Sequence, residues 1–253
     1  MNKKLIISTI IALIIIAVAG GFLLTREQDD AQDNSTTTTA NTTTATTNQT
    51  DTTTQQSNAT ATEEMFSVDV WADNWFALYV NGTKVGEDSV PITTERSFNK
   101  ETFTFTAARP LTIAIEAKDF KETDSGIEYI GQNNQQMGDG GLIAQFKDAN
   151  GGIVAVTDAT WATLVTHKAP LDKSCEKSAD PDTECEFLVT ATPTNWFSAD
   201  YDVSGWTNAM VYSESAVSPK DGYNEVSWDS SAQLVWGTDL EQDNTILFRK
   251  TVN

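Results

Sequence analysis

From Met65 onward, apolar residues recur at every second position in short runs, and polar turn residues separate the runs. "MFSVDVWA" sets Phe66, Val68 and Val70 against Ser67 and Asp69. "TFTFTA" places Phe103 and Phe105 on one side, and "LTIAIEA" does the same with Leu111, Ile113 and Ile115. A period of two marks strands with one buried face. "GLIAQFKD" and "GIVAVTD" flank "ANG", the pattern of a hairpin, and "CEFLVTA", "AMVYSE", "AQLVW" and "TILFRKTV" complete the series. No stretch after residue 64 keeps apolar residues at helical spacing over three turns. Roughly nine or ten short strands divided by Gly, Asp, Asn and Pro turns predict an all-β fold, a β-sandwich of the jelly-roll kind.

One run departs from simple alternation. In "NWFALYVNGTKVGE", Phe76 and Tyr79 are an odd number of steps apart. The strand therefore buries residues on both faces, or bends. Asn81-Gly82 ends it with the dipeptide that best tolerates the two positive φ angles of a type I′ turn. Asn81-Gly82-Thr83 also spells a glycan acceptor, but Asn81 would then serve a tight turn and a bulky sugar together. The stretch is expected to be scaffold.

The first 64 residues follow other patterns. Lys3 and Lys4 precede Leu5–Leu24, a run whose only polar interruptions are Ser8 and Thr9. Residues 1–25 read as a single-pass signal anchor, or as a signal peptide cleaved after Ala17-Val18-Ala19. Both place the remainder outside the cytoplasm: on the cell membrane in the first case, secreted in the second. Residues 26–64 hold no aromatic and no large aliphatic residue. Such a segment cannot bury enough apolar surface to offset its ordering, and it is expected to be a disordered Thr/Asn-rich stalk. Acceptor triplets begin at Asn34, Asn41, Asn48 and Asn58. Residues 65–253 remain for a single domain.

Charge narrows the partners. The chain carries a formal −20. Residues 65–253 alone hold 13 Lys and Arg against 29 Asp and Glu, a net −16. A duplex would repel such a surface, so nucleic-acid binding is not expected. Cys175 and Cys185 enclose "EKSADPDTE" and, in an exported domain, are expected to form a disulfide that closes an acidic loop. Asp180, Asp182 and Glu184 within that loop are candidate metal ligands, with Ca²⁺ the one cofactor they suggest.

No catalytic pattern emerges, and the chain is not expected to be an enzyme. His167 is the only histidine, no G-x-S-x-G elbow is present, and "GDGG" at 138–141 lacks the Lys of a phosphate loop. Two polar stretches fit sugar recognition, which uses amides and carboxylates around aromatic faces. "YIGQNNQQMGDGG" offers Tyr129 with Gln132, Asn133, Asn134 and Gln135. "TPTNWFSADYD" offers Trp196 and Tyr201.

Four segments, in order, resemble galactose-binding-like jelly-roll modules, which occur beside glycoside hydrolase catalytic domains of the β-galactosidase and rhamnosidase type. They are "ADNWFALYVNGTKVG", "GLIAQFKDANGGIVAVTDATW", "WFSADYDVSGWTNAMVY" and the closing "DNTILFRKTV". The matching positions include Thr157-Asp158, Trp161, Tyr201-Asp202, Ser204, Trp206, Ala209 and Phe248–Thr251. The Cys175–Cys185 insertion departs from the pattern. The resemblance implies the sandwich fold and, more loosely, carbohydrate as ligand. In physical terms, Asp158 and Asp202 are expected to hold turns that bury Trp161 and Trp206, and Arg249 to pair with a carboxylate. The expected function is a non-catalytic carbohydrate-binding domain tethered at the cell surface. The alternative is a structural or adhesion subunit that binds a cell-surface protein.

Overall fold

A computed structural model describes residues 62–253, which lie within one compact unit. The expected anchor or signal at 1–25, the stalk up to residue 61 and the acceptors Asn34, Asn41, Asn48 and Asn58 lie outside the described residues. Among the described residues no helix is long and apolar enough to cross a membrane.

The strands follow one another as β1 (Glu63–Asp73), β2 (Trp75–Val80), β3 (Thr83–Glu87), β4 (Asn99–Ala108), β5 (Leu111–Lys118), β6 (Ile127–Glu128), β7 (Gln136–Met137), β8 (Gly141–Asp148), β9 (Ile153–Val156) and β10 (Ala162–Lys168). Then come a 3₁₀ turn at Lys173–Lys177, α1 (Pro181–Glu184), β11 (Leu188–Val189), β12 (Thr207–Asn208), β13 (Met210–Tyr212), α2 (Glu214–Val217), a 3₁₀ turn at Tyr223–Glu225, β14 (Leu234–Trp236) and β15 (Asp243–Val252). The predicted runs all contain strands, though those of β11, β13 and β14 shrink to two or three residues.

All pairings are antiparallel. One sheet has the order β13-β14-β8-β1-β4, with β9 also on β8. The other has the order β11-β10-β15-β5-β2-β3, with β12 also on β10. They stack as a β-sandwich. Phe66, Val68, Val70, Leu142, Ala144 and Phe146 of the first sheet meet Phe76, Leu78, Ile113, Ile115, Ile246 and Phe248 of the second in one core. Alternation explains this face: each of these residues is two positions from the next within its own strand.

The turn after β2 is as the sequence predicts. Asn81 has φ 49° and Gly82 φ 82°. Asn81 also joins strands. Its Nδ2 donates to the Ala108 carbonyl at 2.8 Å, and its Oδ1 accepts from the Thr112 N–H at 2.7 Å. A glycan on that nitrogen would displace the first bond, so the scaffold role follows from the hydrogen bonds themselves. The predicted two-sided burial of "WFALYV" also holds, because Phe76, Ala77 and Leu78 are all buried.

Both sheets carry apolar residues on their outer faces, which coil segments cover. On the first sheet, Trp71, Ile143 and Leu234 pack under Val217 and Tyr223. The Trp71 indole N–H donates to the Asp221 carbonyl at 3.0 Å. On the second, Ala114 and Leu247 lie under Trp196.

Asp88 follows β3 and is 4% exposed. Its Oδ1 accepts from the Val90 N–H at 2.8 Å, while its Oδ2 has no partner. Burial, opposed by that N–H and aided by Glu101, pushes its carboxyl up to about 7. Its folded form holds a proton more tightly than the unfolded chain does. This contribution to stability is complete below the ordinary carboxyl range and is lost as pH rises through about 7. Asp88→Asn is therefore expected to stabilise the domain at about pH 8, by up to about 4 kcal/mol, and to give little change near pH 4. Denaturant midpoints at the two pH values check this, and equal effects at both would contradict it.

Candidate functional site

The chemistry gathers at the end of the sandwich where β1 and β5 finish. β1 ends at Asp73 in one sheet and β2 begins at Trp75 in the other, so only Asn74 lies between. The crossing exposes polar groups to a buried end, and Asn74 satisfies several of them. Its Nδ2 donates to the Glu95 carbonyl at 3.1 Å, its Oδ1 accepts from the Phe120 N–H, and its own N–H donates to the Lys118 carbonyl at 2.7 Å.

Asp73 is 1% exposed, and neither of its carboxylate oxygens has a hydrogen-bond partner. Asp119, just past β5, is 4% exposed, with Oδ1 unpartnered. Asp139 arrives from the loop before β8. One carboxylate oxygen from each of the three lies within 4.8 Å of the other two. Lys220 faces two of them, with Nζ 3.6 Å from Asp73 Oδ2 and 3.1 Å from Asp139 Oδ2. Burial, reinforced by the neighbouring carboxylates, pushes both Asp73 and Asp119 well above the ordinary carboxyl range. Glu128, buried nearby in β6, is pushed up to about 7, chiefly by burial.

"GDGG" explains how Asp139 gets there. A Cβ on Gly138 would fall 1.8 Å from Asp119 Oδ2, one on Gly140 2.1 Å from the Trp236 ring, and one on Gly141 2.5 Å from Val217. The loop approaches its neighbours too closely for any side chain except that of Asp139.

Beside this cluster lies an open groove of about 580 Å³. Gln136 and Asp139 line one part, Glu176 of the disulfide loop another, and Tyr212, Asp239 and Glu241 the rest. Lys173 bridges the rim, 2.7 Å from both Asp239 and Glu241. The Tyr212 hydroxyl donates to the Gly237 carbonyl at 2.9 Å.

The sequence-predicted residues fall into separate groups. Gln132, Asn133 and Asn134 are exposed on the amide loop, with Tyr129 half-buried at its base. Gln135 is a strut: its Oε1 accepts from the Gly131 N–H, and its Nε2 donates to the Glu176 and Ser178 carbonyls, all at 2.8 Å. Its amide is thereby used up in pinning the loop to the disulfide loop. Trp196 is 4% exposed, with its ring among Tyr79, Phe197 and Trp206, so the expected open stacking face is absent. Tyr201 is half-buried against Trp206. These two residues cover the outer face of the second sheet and do not share the groove.

Cys175 and Cys185 are bonded, with Cα atoms 5.7 Å apart. The candidate ligands Asp180, Asp182 and Glu184 are exposed, and Glu184 accepts from the Ser178 hydroxyl at 2.5 Å. Among the described residues, the carboxylates that converge are Asp73, Asp119 and Asp139 instead. Asp158 and Asp202 hold their turns as expected, accepting from the Thr160 and Ser204 N–H groups at 2.7 and 2.8 Å. Trp161 is fully buried, while Trp206 is half-buried. Arg249 departs from expectation. It donates to the Trp196 and Tyr201 carbonyls, at 2.8 and 3.2 Å, and not to a carboxylate. A coil that covers a sheet carries orphan carbonyls, and one guanidinium nitrogen, Nη1, satisfies two at once.

Trp196→Ala is expected to destabilise the fold by about 3–5 kcal/mol, the cost of emptying a buried indole site. Chemical denaturation measures this, and a loss below about 1 kcal/mol would contradict the covering role. Comparison of the chain with protein-family models, with curated proteins and with solved structures gives no match.

Proposed function

We propose that the chain is a non-catalytic binding module presented outside the cytoplasm on its Thr-rich segment, with carbohydrate as its ligand and the groove beside the acid cluster as its site. The groove is the observation that carries this reading. It sets one amide and several carboxylates, Gln136, Asp139, Glu176, Asp239 and Glu241, around the half-buried ring of Tyr212. Sugar hydroxyls need this mixture of acceptors and donors, with an apolar surface for the ring carbons. The four segments that resemble galactose-binding-like jelly rolls support the same reading. His167 supports the non-catalytic part: its ring stacks on Phe187 and faces Asp124 at 3.6 Å, with no hydroxyl hydrogen-bonded to it. The sites first suspected shift accordingly, since the amide loop contributes Gln136 and Trp196 does not take part.

One observation favours the protein-binding alternative. Leu188 and Val189 of the edge strand β11, and Phe187 just before it, are 54%, 58% and 44% exposed. An unpaired apolar edge suits strand addition by a partner.

A glycan array probed with the compact unit Ser57–Asn253 distinguishes the two. The expected result is retention by a defined sugar class, weakened at least about tenfold by Gln136→Ala with Glu241→Gln and unchanged by Leu188→Thr. Retention of no glycan would remove the carbohydrate reading. Cross-linking to a surface protein, lost in Leu188→Thr, would establish the alternative.

A further inference from the structure

The carboxylates of Asp73, Asp119 and Asp139 come from positions far apart in sequence, yet one oxygen of each lies within 4.8 Å of the others. Points no further apart than this fit within a circle of radius at most about 2.8 Å, which accommodates the 2.3–2.6 Å at which Ca²⁺ holds oxygen ligands. The geometry points to a binding site for a hard divalent cation, Ca²⁺ in the first instance, formed by Asp73, Asp119 and Asp139.

Three observations carry it. First, buried oxygens of the cluster have no hydrogen-bond partner: Oδ1 of Asp119 and both of Asp73, whose Oδ2 has only the Lys220 ammonium at 3.6 Å. Buried acceptors are almost always partnered, and the same end of the molecule partners another one fully. Asp243, 1% exposed, is met by Lys168 at 2.7 Å, the Thr238 hydroxyl at 3.1 Å and the Asp239 N–H at 2.9 Å. Second, the one ammonium present, Lys220, reaches Asp73 and Asp139 and pairs with no oxygen of Asp119. When all three are ionised, three carboxylates against one ammonium leave two negative charges, which a divalent ion matches. Third, the ligand set is oxygen only, which selects hard cations over zinc or copper.

The ion would tie the end of β1, the end of β5 and the loop before β8. It would act as a structural staple, and the inference holds whether or not the neighbouring groove takes carbohydrate.

The test uses the purified full chain, stripped with EGTA and titrated with CaCl₂, with MgCl₂ in parallel. Melting is followed by tryptophan fluorescence and binding by calorimetry. At a hundredfold excess over Kd, Ca²⁺ is expected to raise the melting midpoint by about 5–10 °C. Asp119→Asn and Asp139→Asn are expected to abolish that shift, and Asp119→Asn to melt no lower than wild type in EGTA, because it removes an uncompensated charge. Asp182→Asn, in the disulfide loop, is expected to keep the full shift. Three outcomes would each overturn the site: no heat and no shift for wild type up to roughly 10 mM of either ion, an Asp119→Asn variant that responds like wild type, or a response lost in Asp182→Asn.

Discussion

A single residue, Asn74, carries the chain from an interior strand of one sheet into the other. A longer connection could bulge into solvent, but this one cannot, so the crossing peptides sit inside the sandwich end and every polar group there needs a protein partner. Asn74 supplies partners to Phe120 and Glu95, and its own N–H is taken by Lys118. Asp73, immediately before it, is buried by the same crossing. The neighbouring segments are arranged around that fact. β5 ends beside it, bringing Asp119, and the Asn244 side chain holds the Asp119 carbonyl at 3.0 Å. The 138–141 loop passes close enough to bring Asp139 only because glycines flank it. Lys220 reaches in from the coil after α2.

The second constraint is that neither sheet is amphipathic in the simple sense. Inner-face alternation was legible from sequence because β1, β4, β5 and β8 are long enough for period two to repeat. The outer faces were not. Their apolar residues, such as Trp71, Ala114 and Leu247, are covered by segments that form no long strand or helix and give no periodic signal. A Trp in such a segment looks exposed in sequence, so Trp196 reads as a sugar platform although the fold buries it. The clue that could have corrected it is Arg249. A cation within an otherwise apolar strand needs partners, and a nearby coil with unpaired carbonyls serves as well as a carboxylate.

The same reasoning separates the readable parts of the site from the unreadable. The disulfide and the Asn81-Gly82 turn are local features, so spacing and dipeptide chemistry sufficed. Gln135 was found for the wrong reason: five successive amides do mark an unusual loop, but this one pins backbone to backbone. Asp73, Asp119 and Asp139 could not be picked out, since 29 acidic residues offer many triplets and sequence distance hides their convergence. The one local hint was "GDGG", where glycines on both sides of an acid say that the backbone passes close to something and delivers a carboxylate to it.

Asp139 belongs to both the acid cluster and the wall of the groove. The other walls are also held by polar contacts, through Gln135 to the disulfide loop and Lys173 to the 239–241 turn. Apolar packing tolerates small shifts, but hydrogen bonds and ion pairs weaken steeply when their geometry changes. A groove built this way takes its shape from the charge balance a few ångströms behind it. Three carboxylates against one ammonium sit this close only because the surrounding backbone holds them there. The groove and the cluster therefore share Asp139, and a change at the cluster reaches the groove wall through that one residue.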